Sequence, residues 1–349
     1  ICKNLALLGV GKVFVLDLDT IEDTNLTRSV LFTHQDTGRP KAVVAAEAMR
    51  RLNPDVRVEA RQANILHDVG AGVFLEIDIV FGGLDNREAR LFVNQMCWKL
   101  GKPWVDGAIE VVHGIARAFI PPDGACYECT MTAQDYKLMN MRRSCALLTR
   151  EDVMQGKVPT TPTTASVIAG VQVQEAVKWL HRDRDLPLLA GKGFVFNGLT
   201  HDSYVVQYQR KEGCPAHEEL GPVIPTPFSA ESTTLGEVLE LVRERISPEA
   251  IVEFDRELCT ALHCAECDRR QEVFAPLGKL TAADAVCPQC RQPRSPELTH
   301  AIRGEEGFLD RTLSQIGIPA YDIIRGRKGM NAEHYLLAAD REKALGAVV

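Results

Sequence analysis

The chain has 349 residues, of which 45% are hydrophobic, enough for one large domain with a sizeable core and a smaller second domain. Forty basic and 47 acidic residues give a net charge of −7, and no basic run carries interleaved aromatic residues. We therefore expect no nucleic-acid partner. No apolar stretch is long enough to cross a membrane and no signal peptide is visible, so we expect a cytoplasmic protein with no membrane partner.

The first part of the chain alternates predicted helices and strands. Helices are predicted at residues 1–8, 41–53, 87–100 and 165–180, and strands at 13–17, 56–61, 78–83 and 103–109. This alternation predicts an α/β fold with a doubly wound, Rossmann-like parallel sheet. Longer alternating runs at residues 111–120 and 194–208 predict an antiparallel extension of that sheet.

The predicted helix at residues 1–8 leads directly into a strand that ends in Asp17 and Asp19. This order is typical of the second half of a βαβ nucleotide-binding unit. We therefore expect the first strand and its glycine-rich turn to lie before Ile1, and we assign no glycine of this chain to phosphate binding. The alternative, a natural variant without that turn, predicts an inactive nucleotide site.

A change of composition predicts a second domain. Three prolines fall within residues 222–227, so we interpret 222–232 as a linker between a first domain, residues 1–221, and a C-terminal module, residues 233–349. Within that module Thr234 and Glu237 have the spacing of a capping box, which predicts that a helix begins there.

Two cysteine pairs predict a metal site in the C-terminal module. The pairs Cys264/Cys267 and Cys287/Cys290 are separated by 19 residues, the spacing of a zinc ribbon. Four thiolates fill a tetrahedral site, so Zn²⁺ would be structural there. We expect a small α+β domain that contains a zinc ribbon and depends on the metal to fold.

Three motifs together resemble a known family. They are the run from Asp17 to Arg28 (DLDTIEDTNLTR), the run from Gly38 to Lys41 (GRPK) and the run from Gly83 to Arg90 (GLDNREAR). In this order they are similar to the ThiF/MoeB/E1 superfamily, whose members activate ubiquitin-like proteins by adenylation. The resemblance covers roughly the first two thirds of the chain.

The resemblance implies a role for each of several residues in binding ATP and Mg²⁺. Attack of a carboxylate on the α-phosphate joins two anions, so the site needs cations and a metal. The implied residues are Asp17 at the ribose, Arg28 and Lys41 at the phosphates, Asn25 beside them, Asp85 as the Mg²⁺ ligand, and the neighbouring Asp19 and Asn86. Arg90 completes the family pattern D-N-x-x-x-R. Ser29 replaces a glutamine that is frequent in the family.

The resemblance also implies a second zinc site. Cys126 and Cys129 resemble the first half of the zinc knuckle in these enzymes, and Cys214 and His217 stand where the second half is expected. A Cys₃His set is chemically sound for four-coordinate zinc.

Cys145 is a candidate nucleophile. E1-like enzymes that form a thioester carry the reactive cysteine in or near the corresponding crossover, and Arg142 and Arg143 would favour the thiolate. The alternative is an inert loop thiol, because members that pass the acyl-adenylate to a sulfur donor need no thioester.

The function implied by the resemblance is ATP-dependent adenylation of the C-terminal carboxylate of a ubiquitin-like or sulfur-carrier protein, followed by transfer to Cys145 or to an external sulfur. The family also implies a homodimer. We expect the C-terminal module to dock a partner, either the substrate protein or an E2-like conjugating protein. The alternatives are a non-catalytic E1-like scaffold subunit and an NAD(P)-dependent oxidoreductase.

Overall fold

The computed structural model describes residues 1–137 and 160–349, which form an α/β fold with mixed sheets. The α-helices with both ends among these residues are α1 (Cys2–Leu8), α2 (Asp23–Leu26), α3 (Lys41–Leu52), α4 (Gly72–Leu75), α5 (Arg87–Lys99), α6 (Pro162–Leu180), α7 (Leu235–Arg245) and α8 (Arg341–Leu345). Among these described residues, no helix combines the length and apolar character that a membrane span requires.

The strands of the described residues fall into three sheets. They are β1 (Lys12–Asp17), β2 (Arg57–Gln62), β3 (Val80–Gly82), β4 (Trp104–Glu110), β5 (His113–Phe119), β6 (Lys192–Asn197), β7 (Ser203–Gln207), β8 (Val223–Thr226), β9 (Ile251–Cys264), β10 (Arg269–Pro276), β11 (Ser295–Ile302), β12 (Ile323–Lys328) and β13 (Asn331–Leu337).

The predicted parallel sheet is present as two separate parallel pairs. Strands β1 and β2 form one pair, and β3 and β4 form the other. The antiparallel strands β5, β6 and β7 then continue the second sheet in the order β3-β4-β5-β6-β7. The expected antiparallel extension is therefore present, and the predicted run 194–208 consists of two strands joined by a turn rather than one.

An apolar cluster joins the two parallel pairs. It combines residues of α1, α3 and α6 with residues of β1, β2 and β3. Its buried members are Leu5, Ala6, Ala46, Met49, Val56, Val58 and Val173, and Val13, Val15, Phe81 and Val177 pack against them. Because burial of apolar surface is favourable whatever the direction of approach, this cluster can hold the two pairs side by side without hydrogen bonds between them.

A third sheet lies in the C-terminal part of the chain. Its strands run in the order β10-β9-β12-β13-β8, and β11 pairs with the long strand β9. Helix α7 begins at the predicted capping box, where Thr234 Oγ1 accepts from the Glu237 N–H at 3.3 Å and Glu237 accepts from the Thr234 N–H at 2.7 Å. The segment 222–232, expected to be a linker, contains β8, which pairs in parallel with β13.

The C-terminal sheet packs against the segment between β2 and β3. The Gly72 N–H donates to the Tyr321 carbonyl at 2.9 Å, and the Ala71 N–H donates to the buried carboxylate of Asp322 at 2.8 Å. The second oxygen of Asp322 accepts from Arg256 at 2.8 Å. A buried carboxylate with all these partners ties the two parts of the chain together, since its ionised form needs hydrogen bonds once it is removed from water.

Candidate functional site

The loop that follows β1 is bound to the start of α3. The Asp19 N–H donates to Asp17 Oδ1 at 2.9 Å. Lys41, the first residue of α3, lies with Nζ 3.0 Å from Asp19 Oδ2, and its backbone N–H donates to the Asp19 carbonyl at 3.0 Å. Asp17, Asp19 and Lys41, three of the predicted site residues, therefore form one connected group at the carboxyl end of β1.

Asp85 belongs to the same electrostatic environment, although it follows β3 in a different sheet. Burial raises the pKa of the Asp17 carboxyl above its ordinary value. The Asp19 N–H and the charge of Lys41 act in the opposite direction, whereas the charges of Asp19 and Asp85 raise that pKa further. The charge of Asp85, which follows β3, thus acts on the carboxylate that ends β1, as expected for an α/β fold that binds its ligand at the carboxyl ends of its strands.

Asn25 and Arg28 make local hydrogen bonds in this structure. Asn25 is buried, and its Oδ1 accepts from the Glu22 N–H at 3.0 Å, so its side chain caps the start of α2. Arg28 is exposed, and its Nη1 donates to the Thr24 carbonyl at 2.8 Å. The predicted phosphate contacts of both residues stay predictions.

Asn86 begins helix α5. Its Oδ1 accepts from the Ala89 N–H at 2.7 Å, the usual bond of an N-cap asparagine, and its Nδ2 donates to Asp85 Oδ1 at 3.2 Å. Asn86 thus connects the exposed carboxylate of Asp85 to the first turn of a helix.

A buried polar network that was not expected from the sequence lies beneath Asp85. Asp106, in the middle of β4, is fully buried and binds Arg90 and Arg117. Gln172 on α6 donates to two carbonyls, those of Gly82 at 2.9 Å and Val105 at 3.0 Å. The sequence contains one indication of this network, because Asp106 is an acid inside the otherwise apolar strand predicted at residues 103–109.

Cys126, Cys129, Cys214 and His217 lie together as predicted, with all four ligand atoms within 4.8 Å of one another. Cys126 Sγ is 3.7 Å from both Cys129 Sγ and Cys214 Sγ, and Cys129 Sγ is 3.4 Å from His217 Nε2. The His217 ring also stacks on Trp98, with a centroid distance of 4.2 Å. The set therefore connects the β5–α6 crossover region to the C-terminal end of α5.

Cys264, Cys267, Cys287 and Cys290 form a second group of the same size. Its sulfur–sulfur distances are 3.4 Å between Cys264 and Cys290, 3.6 Å between Cys267 and Cys287, and 3.7 Å between Cys267 and Cys290. These separations are too long for a disulfide, whose bond is about 2.05 Å. A tetrahedral zinc ion with bonds of about 2.3 Å places its sulfur ligands ~3.8 Å apart, so both groups have suitable dimensions.

Cys145, the candidate nucleophile, lies outside the residues that the structure describes.

Acids that follow the strands of two parallel pairs, with a lysine from the start of α3 bound to one of them, are typical of α/β proteins that bind a ligand at the carboxyl ends of their strands. The family can be stated more closely. Residues 1–216 match the model of the ThiF family, so the chain belongs to that family. This confirms the relationship that the three motifs indicated.

Several named relatives are activating enzymes. The chain is 34% identical over 229 residues to "SAMP-activating enzyme E1" of Haloferax volcanii, covering 63% of this chain and 76% of the relative. It is 31% identical over 215 residues to "Ubiquitin-like modifier-activating enzyme 5" of Dictyostelium discoideum, covering 58% of this chain and 54% of the relative. It is 38% identical over 134 residues to "Sulfur carrier protein adenylyltransferase" of Thermus thermophilus, covering 37% and 49%.

The chain thus spans about half the length of two of these three relatives. Among solved structures, Escherichia coli MccB with succinimide matches with a TM-score of 0.50 and 22% identity, over 63% of this chain and 62% of MccB. That similarity supports the fold, and the names of the relatives agree with the enzyme class expected from the sequence, an E1-like adenylyltransferase.

The raised pKa of Asp17 predicts that this carboxylate lowers the stability of the protein at neutral pH. Ionised Asp17 is disfavoured in the folded state, so the cost is present above the raised pKa and absent below the ordinary value of 3.8. Asp17→Asn keeps an oxygen for the Asp19 N–H, and we expect it to increase the free energy of unfolding at pH 7 by roughly 0.5–2 kcal/mol. The gain should shrink as the pH falls towards 4. Urea unfolding across this range measures it.

The exposed carboxylate of Asp183 provides the control. Asp183→Asn should change the free energy of unfolding by less than about 0.5 kcal/mol at any of these pH values. A loss of stability at pH 7 in Asp17→Asn would show instead that the ionised carboxylate stabilises the fold.

Proposed function

We propose that this protein uses ATP to adenylate the C-terminal carboxylate of a ubiquitin-like or sulfur-carrier protein. The observations that support the proposal are the contact of Lys41 with Asp19 beside Asp17 and the effect of the Asp85 charge on Asp17, in a chain of the ThiF family. The names of the relatives, two activating enzymes and an adenylyltransferase, support adenylation rather than NAD(P)-dependent oxidoreduction.

The reaction needs positive charge where this site supplies it. A carboxylate oxygen of the protein substrate attacks the α-phosphorus and forms an acyl-phosphate bond. The bond from that phosphorus to the bridging oxygen breaks, and its electron pair leaves with pyrophosphate. In the proposal Lys41 offsets the charge on the phosphate oxygens, and Arg28 exchanges its bond to the Thr24 carbonyl for a phosphate oxygen.

Asp17 and Asp85 have different proposed roles. Asp17 ends β1, where an acid is suited to accept a hydrogen bond from a ribose hydroxyl, with Asp19 and Asn25 close by in the chain. Asp85 is exposed and accepts from Asn86, which leaves oxygen lone pairs for a hard cation. The carboxylate oxygens of Asp85 are suitable ligands for Mg²⁺, which binds one or two carboxylates together with waters and substrate phosphates. When bound, Mg²⁺ would neutralise charge on the phosphates.

Asp85→Ala is expected to abolish exchange of labelled pyrophosphate into ATP in the presence of the substrate protein, with a loss of about 100-fold or more. The reason is that the variant lacks the proposed metal ligand while β3 and α5 keep their other hydrogen bonds. Asp183→Ala, which removes another exposed carboxylate elsewhere, should keep the wild-type rate. Retained exchange in Asp85→Ala would remove this residue from the mechanism.

We further propose that each cysteine group holds one structural Zn²⁺. The sulfur spacings fit a tetrahedral ion in both cases, and neither group keeps a position open for substrate. The group at Cys264 connects the β9–β10 turn to the segment that precedes β11. The group at Cys126 lies against Trp98 and so supports α5.

The zinc proposal predicts close to two equivalents of zinc per chain by elemental analysis of the purified protein. Cys264→Ser and Cys126→Ser should each remove about one equivalent, because three ligands bind zinc more weakly than four. Cys97→Ser is the matched control, since Cys97 is buried outside both groups. A wild-type content of one equivalent or none would contradict the assignment of at least one group.

The last step of the proposed reaction is the transfer of the acyl group from the acyl-adenylate. We propose that the acyl group passes either to the thiolate of Cys145, with loss of AMP, or directly to an external sulfur nucleophile. Transfer to Cys145 predicts a conjugate with the substrate protein that reducing agents cleave and that Cys145→Ala cannot form, as seen by non-reducing electrophoresis. A reducible conjugate in Cys145→Ala would exclude that route, and Cys97→Ser again serves as the control.

A further inference from the structure

The carboxylate of Asp106 has no access to water and two cationic partners. Its Oδ1 accepts from Arg90 Nε at 2.9 Å, and its Oδ2 accepts from Arg117 Nε at 3.1 Å and also from Arg117 Nη2. The side chain of Asp106 is fully buried, and those of Arg90 and Arg117 are 11% and 13% exposed. Removal of one partner from such a group leaves an uncompensated buried charge, so the three side chains act as a unit.

Arg90 uses its remaining donors on the backbone beside the proposed nucleotide site. Its Nη2 donates to the carbonyl of Leu84 and to the carbonyl of Gly107 at 3.2 Å. Leu84 is the residue immediately before Asp85. The carbonyl that leads into Asp85 is therefore held by a guanidinium whose position is fixed by Asp106.

The strand end before Leu84 is also fixed. Gly82, the last residue of β3, pairs with Asp106 in the sheet, and its carbonyl accepts a hydrogen bond from Gln172. A side chain at Gly82 would meet Asp106 Oδ1 and Trp104 at 3.0 Å, so β3 lies directly against the buried network. Asp85 itself is exposed and accepts from Asn86, and its orientation depends on the backbone behind it.

We propose that Asp106 is a positioning residue for Asp85: by orienting Arg90, it fixes the Leu84 carbonyl and thereby the carboxylate that serves as the magnesium ligand. This inference rests on the proposed function. Arg117 has a different part in the network, because it binds the other oxygen of Asp106 and lies over the ring of Tyr127 at 5.0 Å, without a hydrogen bond to the Leu84 peptide.

The test compares two variants that each remove one charge from the same buried unit. Asp106→Asn leaves a neutral side chain with one acceptor oxygen for two arginines and so weakens the hold on Arg90 and the Leu84 peptide, whereas Arg117→Gln leaves the bond from Arg90 to Leu84 in place. ATP binding is measured by calorimetry over a range of Mg²⁺ concentrations and in EDTA. We expect Asp106→Asn to raise the half-saturating Mg²⁺ concentration about tenfold, the usual effect of a residue that orients a metal ligand, with unchanged binding in EDTA.

Arg117→Gln should destabilise the fold by a similar amount and leave the Mg²⁺ dependence unchanged. In pyrophosphate exchange, excess Mg²⁺ should restore the rate of Asp106→Asn and should not restore that of Asp85→Ala. If Asp106→Asn does not fold, Arg90→Lys provides the test. Lysine keeps a cation for Asp106 and cannot also reach the carbonyls of Leu84 and Gly107. We expect it to raise the half-saturating Mg²⁺ concentration as well.

Wild-type Mg²⁺ dependence in a folded Asp106→Asn or Arg90→Lys would overturn the inference, as would an equal rise in Arg117→Gln. Different results would overturn the proposed role of Asp85 on which this inference rests. ATP binding by the wild-type protein that does not depend on Mg²⁺, or that Asp85→Asn leaves unchanged, would overturn the metal role of Asp85 and this inference together.

Discussion

The candidate site depends on the apolar packing of α1, α3 and α6 between the two parallel strand pairs. Among the described residues, no hydrogen bonds pair β1 with β3, yet the charge of Asp85 after β3 contributes to the raised pKa of Asp17 at the end of β1. Met49 of α3 and Val173 of α6 are buried in the same cluster, against Val58 of β2 and Phe81 of β3. Burial of this apolar surface holds β1 and β3 in the same part of the fold.

Apolar packing is not directional, so it cannot set the orientation of the groups that it brings together. Orientation comes from the buried hydrogen bonds. Gln172 projects from the same helix that contributes Val173 to the apolar cluster, and it binds one carbonyl on β3 and one on β4. Asp106 and Arg90 fix the next carbonyl along the chain. Both carboxylate oxygens of Asp106 accept hydrogen bonds, and such satisfaction is the condition under which a buried polar network makes a structure specific rather than unstable.

The sequence predicts the parts of the site whose chemistry is local. Asp17 and Asp85 each follow an apolar run, and the carboxyl ends of parallel strands meet at one edge of a fold, so their proximity could be expected. Closely spaced cysteine pairs likewise indicate a metal site, whatever the length of chain between the pairs. The network of Asp106 could not be predicted in this way, because its partners come from α5 and β5 and only the pairing of strands brings them together. Asn25 illustrates a different limit, since an asparagine suits a phosphate contact and a helix cap equally well.

The C-terminal part of the chain contributes no residue to the site and still bears on its geometry. Prolines made residues 222–232 resemble a linker, but Pro225 lies in β8 at the edge of its sheet, where a missing N–H costs no internal hydrogen bond. At the junction, side chains at Gly70 and Gly72 would meet the carbonyls of Ala320 and Tyr321 at 2.3 and 2.4 Å, so backbone packs directly on backbone. The chain from these glycines to Asp85 contains α4 and β3. The C-terminal sheet therefore fixes the start of the segment whose end carries the proposed metal ligand.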